Sequence, residues 1–175
     1  RVFGEIFQTS SDIQNISILN NYLPVLGIAN ILNYDLDEIL KNIENARVHR
    51  SRWQEFDFEF DGGQIKLIDD SYNASPTSMF EAIGSIDSYR GEQIFRKIII
   101  IGDMLELGDL SEKYHSELVN RINRTNIDHV YFCGEYLTPF FCKLSPKKRK
   151  KQFKSIEYIH SIDNFKLKRG DLIFI

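Results

Sequence analysis

Leu67-Ile-Asp-Asp-Ser-Tyr-Asn-Ala-Ser-Pro-Thr-Ser-Met79 is the stretch that decides the fold. An apolar strand ends at Ile68, and two carboxylates, a hydroxyl, a phenol and an amide follow at once. Ser75 and Pro76 then read as N-cap and first residue of a helix, because proline needs no N–H partner at that position. The polar residues therefore lie between the carboxyl end of a strand and the start of a helix. In open α/β sheets that junction is where ligands bind, often phosphorylated ones. The alternative is a polar turn that does no more than cap a helix.

Outward from this junction the chain alternates. Phe56, Phe58 and Phe60 interleave with Glu55, Asp57 and Glu59, a period of two that predicts a strand with one buried face. Asp61-Gly62-Gly63 is a turn signal, and 65–68 is the returning strand of a hairpin. A helix follows over about 76–88. The β-branched run at 97–101 suits a strand covered on both faces of a parallel sheet. A helix over about 111–124 turns Leu118, Val119 and Ile122 inward. A strand at 129–133, a short helix near 135–143 and a strand at 171–175 complete the series. This rhythm predicts an α/β fold, a doubly wound, mainly parallel, Rossmann-like sheet.

Upstream the pattern is helical. Leu19, Tyr22, Leu23 and Leu26 recur at helical spacing between residues 15 and 32, with Pro24 expected to kink that helix or end its first half. Asp35 with Glu38 three residues on resembles a capping box, and Leu36, Ile39, Leu40 and Ile43 form the stripe of a second helix. Residues 45–51, rich in Arg and His, read as a linker. The domain reading is thus 1–50, helical tail plus linker, and 51–175, the α/β domain.

Composition bounds the function. The chain has 175 residues, 42% hydrophobic and 13% aromatic, enough for a core. Its net charge of −3 offers no general attraction to nucleic acid or anionic lipid, and neither is expected as a partner. No apolar run reaches the ~20 residues of a membrane span. Cys133 and Cys142 form no CxxC pair, and the four histidines show no metal spacing, so a metal site is not expected on this chain. Two reduced thiols fit a cytoplasmic protein. The basic run over 147–154 reads as a solvated surface; a nucleic-acid or membrane patch is the alternative. Arg1 at one end and an apolar run at the other predict a chain cut at both ends from a longer protein.

Candidate chemistry gathers at the strand ends. Asp69 and Asp70 are adjacent and point to opposite faces, so they do not act on one atom. One of them suits a ribose hydroxyl; a solvated turn carboxylate is the alternative. Asn73, Ala74 and Ser75 sit at a helix start, a place for a carboxylate or phosphate. Asp103 and Glu106 follow the buried strand and border the neighbouring crevice, either to hold a cation or to cap a loop. No Gly-x-x-x-x-Gly-Lys-[Ser/Thr] occurs, so no P-loop is encoded.

Two segments carry a resemblance. Asp69-Asp-Ser-Tyr-Asn-Ala-Ser-Pro-Thr-Ser-Met79 and Ile101-Gly-Asp-Met-Leu-Glu-Leu-Gly108, with Ser111 and His115 after it, resemble in order and separation two motifs of the Mur ligases. The branch they most resemble is the one that adds D-alanyl-D-alanine to a UDP-N-acetylmuramoyl-peptide. The likeness runs from about residue 12 to 175.

The resemblance implies an ATP-dependent amide-forming ligase of peptidoglycan precursor synthesis, monomeric and cytoplasmic. It implies that 1–50 closes the central ATP-binding domain and that 51–175 is the family's C-terminal domain, truncated at its end. It places Asp70 at the ribose, with Asp69 structural, and an arginine at the γ-phosphate. Ser51-Arg52 matches the family's Gly-Arg best, with Arg50 the other choice. It puts Asn15 at adenine, although Gln14 replaces the family's His and Ile18 its second Asn. The dipeptide's carboxylate would meet Asn73, Ala74 and Ser75, and its ammonium Asp103 or Glu106. The Mg2+ ligands would lie upstream of this chain. Another Mur ligase is less compatible, since the diamino-acid-adding sister's Asp-Asn-Pro-Arg is missing. A non-catalytic α/β module or gene remnant stays open.

Overall fold

The computed structural model describes residues 16–44, 52–159 and 162–175. Asn15, Arg50 and the linker 45–51 lie outside the described residues. The chain divides into two compact units, Arg1–His49 and Arg50–Ile175. Among the described residues no helix is long and apolar enough to cross a membrane.

The first unit holds α1 (Ile16–Ile31) and α2 (Leu36–Glu44). Pro24 lies inside α1 and does not end its first half, the second of the two outcomes expected from the sequence. A proline removes one backbone hydrogen bond, and the turns on either side carry the helix through. Asn33 stops α1 in the left-handed conformation, with Tyr34 N–H donating to the Ala29 carbonyl at 2.9 Å and Asn33 N–H to that of Asn30 at 3.1 Å, a Schellman motif. Asp35 Oδ1 then caps α2, accepting from the N–H of Asp37 at 2.9 Å and of Glu38 at 3.3 Å. Leu26 and Ala29 are buried, but Leu23, Val25, Ile28, Ile31, Leu32 and Tyr34 are all exposed. This helix is apolar around its circumference.

The second unit is the α/β domain. Its strands are β1 (Gln54–Phe60), β2 (Gly63–Asp69), β3 (Arg96–Gly102), β4 (His129–Cys133), β5 (Arg149–Phe153) and β6 (Asp171–Phe174). They lie in the order β1-β2-β6-β3-β4-β5. Only the β1–β2 pair is antiparallel. Asp61 and Gly62, both at positive φ, form the two-residue turn that joins them. The path from β2 through α3 (Pro76–Ser88) to β3 skips the place that β6 later fills, and α4 (Ser111–Asn123) links β3 to β4. This is the doubly wound, mainly parallel sheet that the sequence predicts.

The continuous Ile run of β3 is explained by cover on both sides. Ile98, Tyr131, Phe153 and Phe165 form one cluster, with Ile100, Cys133, Ile159 and Leu167 packed against it. By strand alternation Ile99, Ile101 and Phe132 face the other way. That side carries α3 and α4, whose Ile83, Ile86, Leu118, Val119 and Ile122 are fully buried.

Three elements depart from expectation. The Phe face of β1 is not buried: Phe56 and Phe58 are 41% and 47% exposed and stack on each other at 6.3 Å. β1 is an edge strand, and the carboxylate face is the one that finds partners. Lys66 bridges Glu55 at 3.3 Å and Asp57 at 2.9 Å, and Tyr89 donates to Glu55 at 2.8 Å. The basic run contains the unforeseen β5, at the opposite edge. Its exposed Lys150 and Lys151 discourage edge pairing, while Lys148 is buried and donates to the carbonyls of Thr125 and Ile127. The short helix near 135–143 is a 3₁₀ helix, Thr138–Lys143.

His129 opens β4 with a buried Nδ1 that has no hydrogen-bond partner among the described residues. Burial, aided by Lys150 and Arg96, pushes its pKa down to about 4. The unfolded chain therefore binds a proton between about pH 6.5 and 4 that the folded chain does not. Stability should fall as pH drops through that window. One proton contributes a slope of at most about 1.4 kcal/mol per pH unit. Urea unfolding at pH 4.5 and 7 should show a smaller difference for His129→Phe than for the wild type; an equal difference would contradict this assignment.

Candidate functional site

The junction singled out in the sequence folds as read. Ser75 is the N-cap of α3: its Oγ accepts from Ser78 N–H at 3.2 Å, and Ser78 Oγ accepts from Ser75 N–H at 3.1 Å, closing a capping box. Asn73 Oδ1 accepts from the Ala74 N–H at 2.9 Å. Asp69 closes the turn, its Oδ1 accepting from Ser71 N–H at 3.0 Å and Ser71 Oγ at 2.6 Å.

Asp70 faces a different task. Its N–H donates to the Ile175 carbonyl at 2.8 Å, and its Oδ1 accepts from the Trp53 N–H at 3.0 Å. Its Oδ2 makes no hydrogen bond to the described residues. Burial raises its pKa, while the Trp53 N–H and the Arg52 charge pull it back. The Arg52 guanidinium lies 4.3 Å above the centre of the Tyr72 ring, a cation–π contact on the same turn.

A crevice of about 730 Å³ opens at the carboxyl ends of β2, β6, β3 and β4. Asp70, Asn73, Ala74, Asp103 and Glu106 all line it; Ser75 and Arg52 are not among its walls. Below this polar rim the walls are apolar, with Ile100, Cys133, Ile159 and Phe165. Burial, then the Asp103 charge, raises the Cys133 thiol pKa. That disfavours the thiolate, the form a nucleophile needs.

Asp103 is held on both oxygens: Oδ1 accepts from Leu137 N–H at 2.9 Å and Oδ2 from Tyr136 N–H at 3.0 Å. Geometrically it caps a loop. The next residue is pinned from α4, where the fully buried His115 accepts from Met104 N–H on Nε2 at 3.1 Å and donates from Nδ1 to the Ser111 carbonyl at 2.8 Å. Glu106, exposed and at φ +61°, is the rim carboxylate left to solvent. Among the described residues no three His, Cys, Asp or Glu side chains gather to hold a metal ion.

Gly134 makes the Asp103 clamp possible. Its φ is +149°, and a Cβ there would lie 2.3 Å from the Asp103 carboxyl carbon. Gly134→Ala should therefore displace Asp103, break its two bonds to the 136–137 backbone and lower stability by about 2–3 kcal/mol. Chemical unfolding measures this; a change below about 0.5 kcal/mol, the size of an ordinary surface substitution, would show the clamp to be dispensable.

The Arg52–Asp70 contact route through Trp53 had no sequence signal, since tryptophan is an unusual residue for a left-handed backbone. The crevice floor was equally hidden, because Phe165 and Ile159 come from a segment remote in sequence.

An open α/β sheet with a crevice at the carboxyl ends of its strands belongs to a class of fold that binds ligands at that place. The comparisons narrow it: residues 51–167 match the family model "Mur ligase, glutamate ligase domain", and the chain belongs to the Mur ligase family. It is 34% identical over 158 residues to the UDP-N-acetylmuramoyl-tripeptide–D-alanyl-D-alanine ligase of Rickettsia prowazekii, covering 89% of this chain and 33% of that protein. The ligase of the same name from Bacillus subtilis is 33% identical over 126 residues, 65% of this chain and 26% of that protein. The crystal structure of the MurF ligase of Thermotoga maritima in complex with ADP superposes with a TM-score of 0.68 at 25% identity, over 89% of this chain and 33% of that one. The chain thus spans about a third, or less, of the length of these relatives.

Proposed function

We propose that this chain is the C-terminal part of a ligase that joins D-alanyl-D-alanine to a UDP-N-acetylmuramoyl-tripeptide. The observation that carries this reading is Asp70: an acid at a strand's carboxyl end, anchored on one oxygen, its other oxygen without a hydrogen bond to the described residues, and under the influence of an arginine. In this reading ATP phosphorylates the carboxylate of the muramoyl peptide. The dipeptide's amine then attacks the acyl phosphate, forming an amide and releasing phosphate, with ADP as the other product.

The α/β domain contributes positioning. Arg52 reaches the γ-phosphate, where its planar donor fork spans two oxygens. Asp70 Oδ2 takes a ribose hydroxyl, and Asn15 meets the adenine. The Asn73-Ala74 backbone at the start of α3 receives the dipeptide's carboxylate, with Ser75 shaping that turn through its cap. Glu106 is better placed than Asp103 for the ammonium, because both Asp103 oxygens already accept backbone N–H groups. The Mg2+ ligands are expected upstream of this chain, as the family resemblance implies. Residues 1–50 complete the ATP-binding domain, which accounts for a helix such as α1 that is apolar all round. The protein acts as a cytoplasmic monomer.

The test is a titration of the chain with ATP and with D-alanyl-D-alanine, followed by amide NMR. Binding should be weak, in about the millimolar range, because a few edge contacts barely offset the cost of association. Shifts should gather at residues 70–75 and 103–106. ADP release by this chain alone, dependent on the muramoyl peptide, would overturn the reading.

A further inference from the structure

Trp53 is the bulkiest of the non-glycine residues at positive φ among the described residues of this domain. It adopts φ +47°, a left-handed conformation that is sterically costly for a bulky L-residue. Such strain persists only where the surroundings impose it. Here three contacts do so. The backbone N–H donates to Asp70 Oδ1 at 3.0 Å. Trp53 is buried, and its indole packs against Phe174, ring centroids 5.9 Å apart. The indole N–H reaches Glu55 Oε1 at 3.3 Å. Both principal partners, Asp70 and Phe174, are walls of the crevice. Trp53 touches that crevice only through them.

The neighbour on the other side is Arg52, exposed and resting on Tyr72 at 4.3 Å. A residue whose φ, N–H and side chain are all fixed dictates the direction in which the preceding residue leaves. We propose that Trp53 is a positioning residue: anchored on Asp70 and Phe174, it fixes where Arg52 stands relative to the crevice. The inference rests on the reading of Arg52 as the phosphate contact. It gives Asp70 a second duty, since the same carboxylate that would meet the ribose on one oxygen holds the arginine's anchor with the other. Nucleotide and arginine are thereby referred to one side chain.

Two NMR readouts on the 175-residue chain test this without nucleotide. One is hydrogen exchange of the residue 53 amide. The other is the upfield shift that the Tyr72 ring imposes on the Arg52 δ protons, identified by its loss in Tyr72→Leu. In the wild type the residue 53 amide should exchange at least about 100-fold more slowly than in an open chain. Asp70→Ala should abolish both the protection and the Arg52 shift. Asp70→Asn should keep both, because its carbonyl oxygen can accept the same N–H. Trp53→Gly should lose the Arg52 shift while amides 99 and 101 stay protected, which shows the sheet intact. If Trp53→Gly does not fold, the Asp70 pair decides. An Arg52 shift that survives Asp70→Ala would overturn the proposal. No step reads nucleotide binding, so a failure of Arg52 at the phosphate, seen only in a ligase assay, is distinguishable from a failure of the anchor.

Discussion

Replacing Asp171 with alanine is expected to lower the stability of the α/β unit by about 3–5 kcal/mol. Asp171 opens β6 at 1% exposure and faces Arg96, its partner in the register of β3. The pair is bidentate, Arg96 Nε to Oδ1 at 2.7 Å and Nη2 to Oδ2 at 2.5 Å. Oδ2 also accepts from Lys168 N–H at 2.7 Å, and Arg96 Nη2 donates to the Lys166 carbonyl at 3.0 Å. Removing the carboxylate strands a guanidinium and a backbone N–H in a site with little water. The penalty comes mainly from that stranded charge. Arg96→Met with Asp171→Leu should accordingly recover much of the loss. Against a total stability of about 5–15 kcal/mol the single change is large. Urea unfolding followed by the fluorescence of the one tryptophan would show it, and a loss under about 1 kcal/mol would mean the pair is effectively solvated.

In a ligase containing this chain, Arg52→Ala should cut turnover by about 100-fold or more, the size expected for losing a preorganised charge contact in the transition state. Arg52→Lys should restore only part, because an ammonium cannot span two phosphate oxygens as a planar fork does. Tyr72→Leu should act in the same direction and more weakly, since it removes the surface on which the guanidinium rests. Steady-state kinetics with ATP and dipeptide varied separately measure all three. Wild-type turnover in Arg52→Ala, with loss in Arg50→Ala, would assign the role to the other arginine.

The parts of the fold that were legible in sequence are those with local causes. Ser75-Pro76 fixes a helix start, Asp61-Gly62 a hairpin turn, and the Ile run of β3 a strand covered on both faces. What was hidden depends on neighbours. Period two showed that Phe56 and Phe58 share a face, but not that the covering layer stops short of the edge strand. The Arg-Lys-Lys-Gln-Phe sequence of β5 lacks apolar alternation; backbone pairing with β4 makes it a strand. At the site, residue type indicated that Asp70, Asn73 and Asp103 belong near strand ends. It left open whether Asp103 binds a cation or caps a loop, because that depends on the N–H groups of residues 136 and 137, which only the folded chain brings near.

The place of β6 bears on how this domain comes into being. It lies between β2 and β3 in the sheet, yet the ribosome makes it last of the six strands. Until then β2 and β3 each present an open edge with no partner at the centre of the sheet. Pairing β6 with β2 closes a loop of about a hundred residues, an entropy cost met before any contact repays it. Emergence of the nascent chain should therefore yield two separate pieces, the β1–β2 hairpin and the β3–β4–β5 group, that lock together in one late step. During that interval the open edges are where a chaperone has most to shield and where mispairing between nascent chains would begin.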